Sequence, residues 1–117
     1  MKRISIAGLA TLVSLAVVAA AIASPASVPG NPAAGKKMFV TNPIPCGMCH
    51  TLKAASTYGT RGPNLDKVKP GYGTAIRFIT NGARHTARYP TGMPAFGDAL
   101  SKKQIQNLAA FIYTSTH

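Results

Sequence analysis

Residues 46–50 read Cys46-Gly47-Met48-Cys49-His50, and they contain both cysteines of the 117-residue sequence. Two cysteines separated by two residues and followed directly by a histidine form the Cys-x-x-Cys-His pattern of c-type haem attachment. In this chemistry the two thiols add to the vinyl groups of the porphyrin, and the adjacent imidazole binds the iron. The pattern therefore predicts one covalent haem c, attached through Cys46 and Cys49 and ligated by His50.

The same residue types are compatible with other chemistry. A Cys-x-x-Cys pair in an exported protein can form a disulfide or a thiol redox centre, so Cys46 and Cys49 alone would permit a haem-free thiol oxidoreductase. Structural zinc sites need four ligands, and the sequence lacks the partners for one. The histidine that follows Cys49 favours haem over these alternatives.

The N-terminus has the composition of an export signal. A basic start, Met1–Arg3, precedes an apolar run over residues 4–23 that ends in small residues. This pattern predicts a signal peptide over residues 1–23, cleaved after Ala23, with Ala26 as a second candidate. An uncleaved anchor is the alternative, because the run approaches the ~20 residues that span a bilayer. Both interpretations place the remaining chain outside the cytoplasm, in the periplasm.

The charge balance is strongly positive. The formal net charge is +11, and Asp66 and Asp98 carry the only side-chain carboxylates. Such a field attracts nucleic acid, anionic membrane or an acidic protein face, and export argues against nucleic acid. We expect acidic redox-partner proteins, with membrane contact only through partner complexes or an uncleaved N-terminal segment. Because carboxylates are the groups that acid disturbs, their scarcity also suggests an acidic extracytoplasmic environment.

The rest of the chain predicts short helices. Residues 24–32 form an extended lead-in, and a first helix is expected from Pro32 or Ala33 to about Val40. A helix over Thr74–Asn81 has apolar residues at helical spacing. A capping-box pattern predicts a last helix that starts after Ser101 and ends at about Thr114.

Two long stretches, residues 51–73 and 83–100, are rich in glycine and proline and predict irregular structure. Loops of this length are uncommon in a small domain unless they are functional. Three modest helices without tryptophan also provide little apolar surface to bury. A large cofactor would organise the loops and complete the core.

Four further motifs accompany Cys-x-x-Cys-His in a fixed order. They are Gly35-x-x-x-Phe39, Gly62-Pro63-Asn64-Leu65, Gly92-Met93-Pro94-Ala95-Phe96-Gly97 and Leu108-x-x-Phe111. With them, the chain from Ala33 to Thr116 resembles the class I c-type cytochromes, in particular short bacterial cytochromes c and the cytochrome c6 group. The resemblance implies an all-α class I cytochrome c fold, with three to four short helices and long loops wrapped around one covalent haem. Residues 33–117 would form this monohaem domain.

The resemblance also implies the remaining iron chemistry. Met93 would be the second axial ligand, opposite His50, and the carbonyl of Pro63 would accept a hydrogen bond from the His50 ring. Of the other methionines, Met48 lies between the cysteines and Met38 on a helix that needs it for packing. The main competitor of Met93 is the loop histidine at position 85.

Further residues have predicted roles on the same basis. Leu65 and Phe96 would line the haem pocket. Tyr89 and Thr91 would contact a haem propionate or steady Met93, or would be ordinary loop residues. Three more residues are expected to line the pocket: Phe78, Leu108 and Ile112. The neighbour Ile79 could face the ring in place of Phe78. A close crossing of the first and last helices would join Gly35 and Phe39 to Leu108 and Phe111.

Two axial ligands leave no open iron position for a substrate, so the predicted function is electron transfer and not catalysis. The protein would cycle Fe(III)/Fe(II) between a dehydrogenase or quinol-oxidising complex and an oxidase or other acceptor. A haem subunit of a larger oxidoreductase complex, and a haem enzyme or sensor with a displaceable Met93, are alternatives. Seven basic residues are candidates to ring the haem edge and guide an acidic partner: Lys36, Lys37, Lys53, Lys67, Lys69, Arg84 and Arg88.

Overall fold

The computed structural model describes residues 8, 12–18, 27–41 and 45–117. Both predicted cleavage sites and most of the predicted signal peptide lie outside these residues. Residues 12–18 have no helix or strand and are exposed. Within the described part of the chain, no helix has the length and apolar character needed to cross a membrane.

Helices form nearly all the regular structure of the described residues, as predicted. The α-helices are α1 Pro32–Thr41, α2 Leu65–Val68, α3 Tyr72–Asn81 and α4 Lys102–Thr116. Two single turns of 3-10 helix, Cys46–Met48 and Lys53–Ala55, and two two-residue strands, β1 Thr51–Leu52 and β2 Thr57–Tyr58, complete the list. The strands pair antiparallel, with Thr51 opposite Tyr58.

The predicted capping box of α4 is present. The Ser101 hydroxyl accepts a hydrogen bond from the Gln104 N–H at 3.1 Å, and the Gln104 side chain accepts one from the Ser101 N–H at 2.9 Å. These bonds satisfy two N–H groups that a helix start would otherwise leave unpaired. The helix ends at Thr116 instead of Thr114.

Residues 51–73 are less irregular than predicted. Asn64 starts α2, because its side-chain oxygen accepts a hydrogen bond from the Lys67 N–H at 3.2 Å, and Lys69 ends it in the left-handed conformation. Asp66 joins α2 to the preceding hairpin by accepting a hydrogen bond from the Lys53 N–H at 2.8 Å. Composition indicated loops here, but side-chain capping organises even one turn of helix.

The first and last helices cross closely, as the resemblance implied. A Cβ atom on Gly35 would lie 1.9 Å from the backbone oxygen of Asn107, so the two backbones approach at a distance that only glycine permits. Phe39 and Phe111 pack edge-to-face beside this point, with ring centres 5.7 Å apart. The Asn107 side chain also accepts a hydrogen bond from the Asn31 N–H at 2.8 Å. This crossing forms the base of the core.

Candidate haem site

The Cys-x-x-Cys-His segment coils into a tight turn. The N–H groups of Cys49 and His50 both donate to the carbonyl of Cys46, at 3.1 and 3.0 Å. Pro45 is itself in the extended conformation and stands at the N-cap of the 3-10 turn. The turn brings the two cysteines and the histidine to the wall of a single cavity.

The His50 ring is fixed from two sides. Its Nδ1 atom lies 2.7 Å from the carbonyl oxygen of Pro63, which is the hydrogen bond that the resemblance implied. Because a carbonyl only accepts, Nδ1 carries the proton and Nε2 keeps a lone pair for a metal ion. A Cβ atom on Gly62 would lie 2.8 Å from the ring carbon Cε1, so the glycine before Pro63 gives the imidazole its space.

Met93 is held through its backbone. Its N–H and C=O groups both hydrogen-bond to Ala83, at 2.9 Å each, in an isolated antiparallel bridge. The flanking Gly82 and Gly92 have positive φ angles of 69° and 64°, which favour glycine. Farther along the loop, the Phe96 N–H donates to the Ile79 carbonyl at 2.9 Å. Together these bonds attach the methionine loop to the end of α3.

The cavity has a volume of about 270 Å³ and is lined mainly by apolar side chains. Its wall contains two thiols, one imidazole and one thioether, from Cys46, Cys49, His50 and Met93. Neither Asp66 nor Asp98 contributes to it. This donor set fits haem c. The group needs two thiols for attachment, an imidazole and a soft thioether as iron ligands, and apolar surroundings for the ring.

Comparison with known proteins agrees with this chemistry. The sequence model for the family described as cytochrome c oxidase, cbb3-type, subunit III, matches residues 30–112. The chain belongs to this family of c-type cytochromes. The cytochrome is also similar to the crystal structure of the c-type cytochrome SorU from Sinorhizobium meliloti, with 32% identity over 73% of this chain and 90% of that chain and a TM-score of 0.61. The search of curated proteins gave no match.

Membership in the family confirms several predictions. The cytochrome has the class I fold, carries covalently bound haem c and functions in electron transfer, in line with both matches. Cys46 and Cys49 have the spacing of the family's attachment motif. The roles of individual residues toward the haem remain proposals.

Most of the predicted pocket residues line the cavity of the cytochrome. The wall includes Pro63, Leu65, Phe78, Ile79, Tyr89, Phe96 and Ile112. Both members of the pair Phe78 and Ile79 contribute, so the choice between them was unnecessary. The loop histidine at position 85 is exposed and does not line the cavity.

One pocket prediction was wrong. Leu108 is 1% exposed but does not line the cavity, because it packs in the core one turn of α4 before Ile112. Thr91 is exposed and does not line the cavity, which is consistent with its alternative prediction as an ordinary loop residue.

Sequence reasoning missed Arg61, which lines the cavity beside Gly62. Its position immediately before the Gly62-Pro63-Asn64-Leu65 motif could have indicated that Arg61 lines the cavity. Among the predicted basic residues, Arg84 is the one that lines the cavity. None of the predicted lysines lines the cavity, although Lys69 lies in the chain between the lining residues Val68 and Pro70.

Cys46 lacks the lowered pKa of a reactive thiol. Burial raises the pKa of the Cys46 thiol to about 11, and the neighbouring Cys49 adds to the increase, although a backbone hydrogen bond opposes it. Catalytic Cys-x-x-Cys thiols have lowered pKa values, because the thiolate is the nucleophile. The raised pKa of the Cys46 thiol disfavours the thiol oxidoreductase alternative.

Proposed function

We propose that this cytochrome is a periplasmic one-electron carrier with a haem held by four residues of one cavity. Cys46 and Cys49 would form the thioether bonds, and His50 and Met93 would bind the iron. The observation that supports this proposal is that all four side chains line the same apolar cavity. When bound, the haem supplies an iron that alternates between Fe(III) and Fe(II).

The chain's own residues control this site in three ways. Pro63 holds the His50 ring in the tautomer that can bind iron, which raises the basicity of the ligand. The Ala83 bridge holds Met93 at the cavity wall. Leu65 and Phe96, both buried, exclude water, and a low dielectric disfavours the extra positive charge of Fe(III).

Iron with two protein ligands has no open position, so electrons would enter and leave through the edge of the ring. We propose a dehydrogenase or quinol-oxidising complex as donor and an oxidase or other complex as acceptor, each offering an acidic surface. The net charge of +11, which becomes +9 when Lys2 and Arg3 leave with the signal peptide, and the presence of only two aspartates in the sequence support acidic partners. The Lys/Arg-containing apolar N-terminus supports export as a cleaved signal peptide.

A second function, haem subunit of a larger oxidoreductase complex, is favoured by one finding. The matching family is described as a subunit of a cbb3-type oxidase. Both functions use the same electron transfer, but the free carrier diffuses between its partners and the subunit stays in its complex. Native purification distinguishes them, because a free carrier elutes alone and a subunit elutes with its complex.

Spectroscopy of the purified holo-protein tests the site assignment. The haem should stay on the chain after denaturation, and Cys46→Ala/Cys49→Ala should abolish this retention. The ferric protein should show the thioether-to-iron charge-transfer band, which Met93→Ala removes. Met48→Ala is the matched control, since Met48 is 63% exposed and does not line the cavity. A band that survives Met93→Ala would overturn the assignment.

Carbon monoxide distinguishes the carrier from a haem enzyme or sensor. If Met93 occupies the sixth position firmly, the reduced protein should not bind carbon monoxide at neutral pH, whereas Met93→Ala should. Binding by the unmodified protein would favour a displaceable ligand and a ligand-sensing function.

A further inference from the structure

The β1–β2 hairpin packs against the haem-attachment segment. Cys46, Cys49 and His50 of this segment line the haem cavity, whereas Gly47 and Thr57 do not. A Cβ atom on Gly47 would lie 2.3 Å from the methyl carbon of Thr57, so the two residues are in direct contact. The hairpin therefore supports the attachment segment from outside the cavity.

The Thr57 side chain uses both of its branches at this contact. While its methyl group packs on Gly47, its hydroxyl donates a hydrogen bond to the main-chain carbonyl of His50 at 3.0 Å. The Leu52 carbonyl lies 3.4 Å from the same hydroxyl, which is a longer and weaker contact. Thr57 is thus joined to the attachment segment at two points, one apolar and one polar.

The chain that follows the hairpin holds the neighbouring residues of the segment. A Cβ atom on Gly59 would lie 2.6 Å from the main-chain carbonyl carbon of Cys49. The Gly62 N–H donates a hydrogen bond to the Cys49 carbonyl at 2.8 Å, and the His50 ring contacts the Pro63 carbonyl at 2.7 Å. The end of the segment is therefore fixed through two consecutive main-chain carbonyls and one imidazole ring.

We propose that Thr57 is a positioning residue for the iron ligand His50. Pro63 orients the imidazole from its Nδ1 atom, and the Thr57 hydroxyl fixes the main chain from which the ring projects. A ligand that is held at both ends keeps its position in both oxidation states, which reduces the rearrangement at each electron transfer. This inference rests on the iron ligation by His50 proposed above.

Threonine suits this position because it supplies a hydroxyl and a methyl group together. Valine has the same shape, but its second methyl group would take the place of the hydroxyl, 3.0 Å from the His50 carbonyl oxygen. Carbon and oxygen atoms in C–H···O contacts lie ~3.3–3.6 Å apart, so valine should push the His50 main chain away. Serine keeps the hydroxyl and removes only the methyl group. The two substitutions therefore separate the hydrogen bond from the packing.

Matched valine and serine variants test this role. In NMR spectra of the ferric holo-protein, the paramagnetic shifts of the haem methyl groups depend on the orientation of the axial imidazole. We expect Thr57→Val to change these shifts and Thr57→Ser to leave them close to those of the unmodified protein. Unchanged shifts in Thr57→Val would overturn the proposal.

Thr114→Val controls for a general loss of stability. The Thr114 hydroxyl also donates to a main-chain carbonyl, that of Ala110 at 2.8 Å, but Thr114 does not line the cavity. Both valine variants should unfold at a lower denaturant concentration than the unmodified protein, since each loses one hydrogen bond. Only Thr57→Val should change the haem methyl shifts. If Thr114→Val changes them as much, the effect is a general loosening and the proposal is wrong.

Electron self-exchange measures the functional consequence. Its rate follows from NMR line broadening in mixtures of oxidised and reduced protein. We expect the rate to fall several-fold in Thr57→Val, because a less firmly held ligand rearranges more at each transfer, and to stay unchanged in Thr57→Ser. Equal rates in the two variants would contradict a role of the Thr57 hydroxyl in electron transfer.

Gly47 allows a test of the packing contact. Gly47→Ala places a methyl group against that of Thr57 and should displace the attachment segment and the haem methyl shifts. In Gly47→Ala/Thr57→Ser the Thr57 methyl is absent, although the Cβ atom of residue 57 remains 2.9 Å away. We therefore expect the double variant to recover part of the change. A change that persists in full would contradict positioning of the segment by Thr57.

Ligation by His50 can fail separately. If the ferric NMR spectrum of the unmodified protein shows no strongly shifted ring protons of His50, this residue does not bind the iron and the proposed site fails. If these signals are present but Thr57→Val leaves the haem methyl shifts unchanged, only the positioning role of Thr57 fails.

Discussion

Met93 and Ala83 exchange two backbone hydrogen bonds of 2.9 Å, and this bridge attaches the methionine loop to the end of α3. Between the two residues the chain closes on itself, with the Gly92 N–H donating to the Tyr89 carbonyl at 3.2 Å. A thioether ligand on a loop anchored in this way needs little further ordering to bind iron. The bridge therefore supports the proposal that Met93, although outside regular structure, is a permanent ligand.

Substitution of Gly92 should loosen Met93. Its φ of 64° is unfavourable for other residues, and a Cβ atom would lie 2.8 Å from the Ala83 carbonyl oxygen. We expect Gly92→Ala to lower the free energy of unfolding by about 1–3 kcal/mol. We also expect the variant to lose the thioether-to-iron band at a lower pH than the unmodified protein. Gly73→Ala is the control, because nothing lies within 4 Å of its Cβ position in α3; it should keep the band and gain about 0.5–1 kcal/mol.

Substitution of Gly62 should disturb the proximal ligand. A Cβ atom would press on the His50 ring at 2.8 Å and stretch its 2.7 Å contact with the Pro63 carbonyl. Weakening this hydrogen bond makes the imidazole a poorer donor to Fe(III). We expect Gly62→Ala to raise the reduction potential by roughly 20–60 mV, equivalent to the ~0.5–1.5 kcal/mol of one hydrogen bond. Potentiometric titration measures the change, and an unchanged or lower potential would contradict this role of Pro63.

Substitution of Gly35 should weaken the crossing of α1 and α4 without altering the iron ligands. Its Cβ atom would overlap the Asn107 backbone oxygen, at 1.9 Å. We expect Gly35→Ala to reduce the free energy of unfolding by about 1–3 kcal/mol, since overpacking outweighs the gain in helix propensity. Denaturant unfolding measures the loss, while the visible spectrum should stay unchanged. Lys36→Ala, at an exposed position of the same helix, should have little effect on either.

Mild acid should affect the folded protein weakly. A carboxylate that is stabilised in its charged form loses this contribution as the pH falls, and the sequence has two aspartates and no glutamate. We expect the free energy of unfolding of the holo-protein to change by less than about 1 kcal/mol between pH 7 and pH 5. A steep loss over this interval would contradict the predicted adaptation to an acidic environment.

The capped helices were predictable because their signals are local. Ser101 and Gln104 satisfy each other within one turn, so their spacing predicts the start of α4 without knowledge of the fold. The short helix α2 was missed, because its four residues show no period and its start depends on a single Asn64 side chain. The early start of α3, at Tyr72 instead of Thr74, reflects packing of Tyr72 against the core.

The site residues also divide into those that a local sequence pattern identifies and those that it does not. Cys46, Cys49 and His50 could be predicted from the sequence, because thioether attachment and proximal ligation require residues adjacent in the chain. The assignment of Met93 depended on family resemblance, since its loop position identifies it weakly. Leu108 was misplaced for a related reason: a helical pattern indicates the buried face but not which turn of that face reaches the cavity.

The sequence by itself determined the cofactor chemistry, the excess of positive charge and the helix starts, since each depends on residue types and short spacings. The tertiary structure decided where the charges act. Arg61 and Arg84 are 23 positions apart in the sequence, and folding around one cavity brings both of them to its wall. The helix crossing at Gly35 and Asn107 likewise joins residues far apart in the chain, because packing depends on distances in space that spacing along the sequence does not encode.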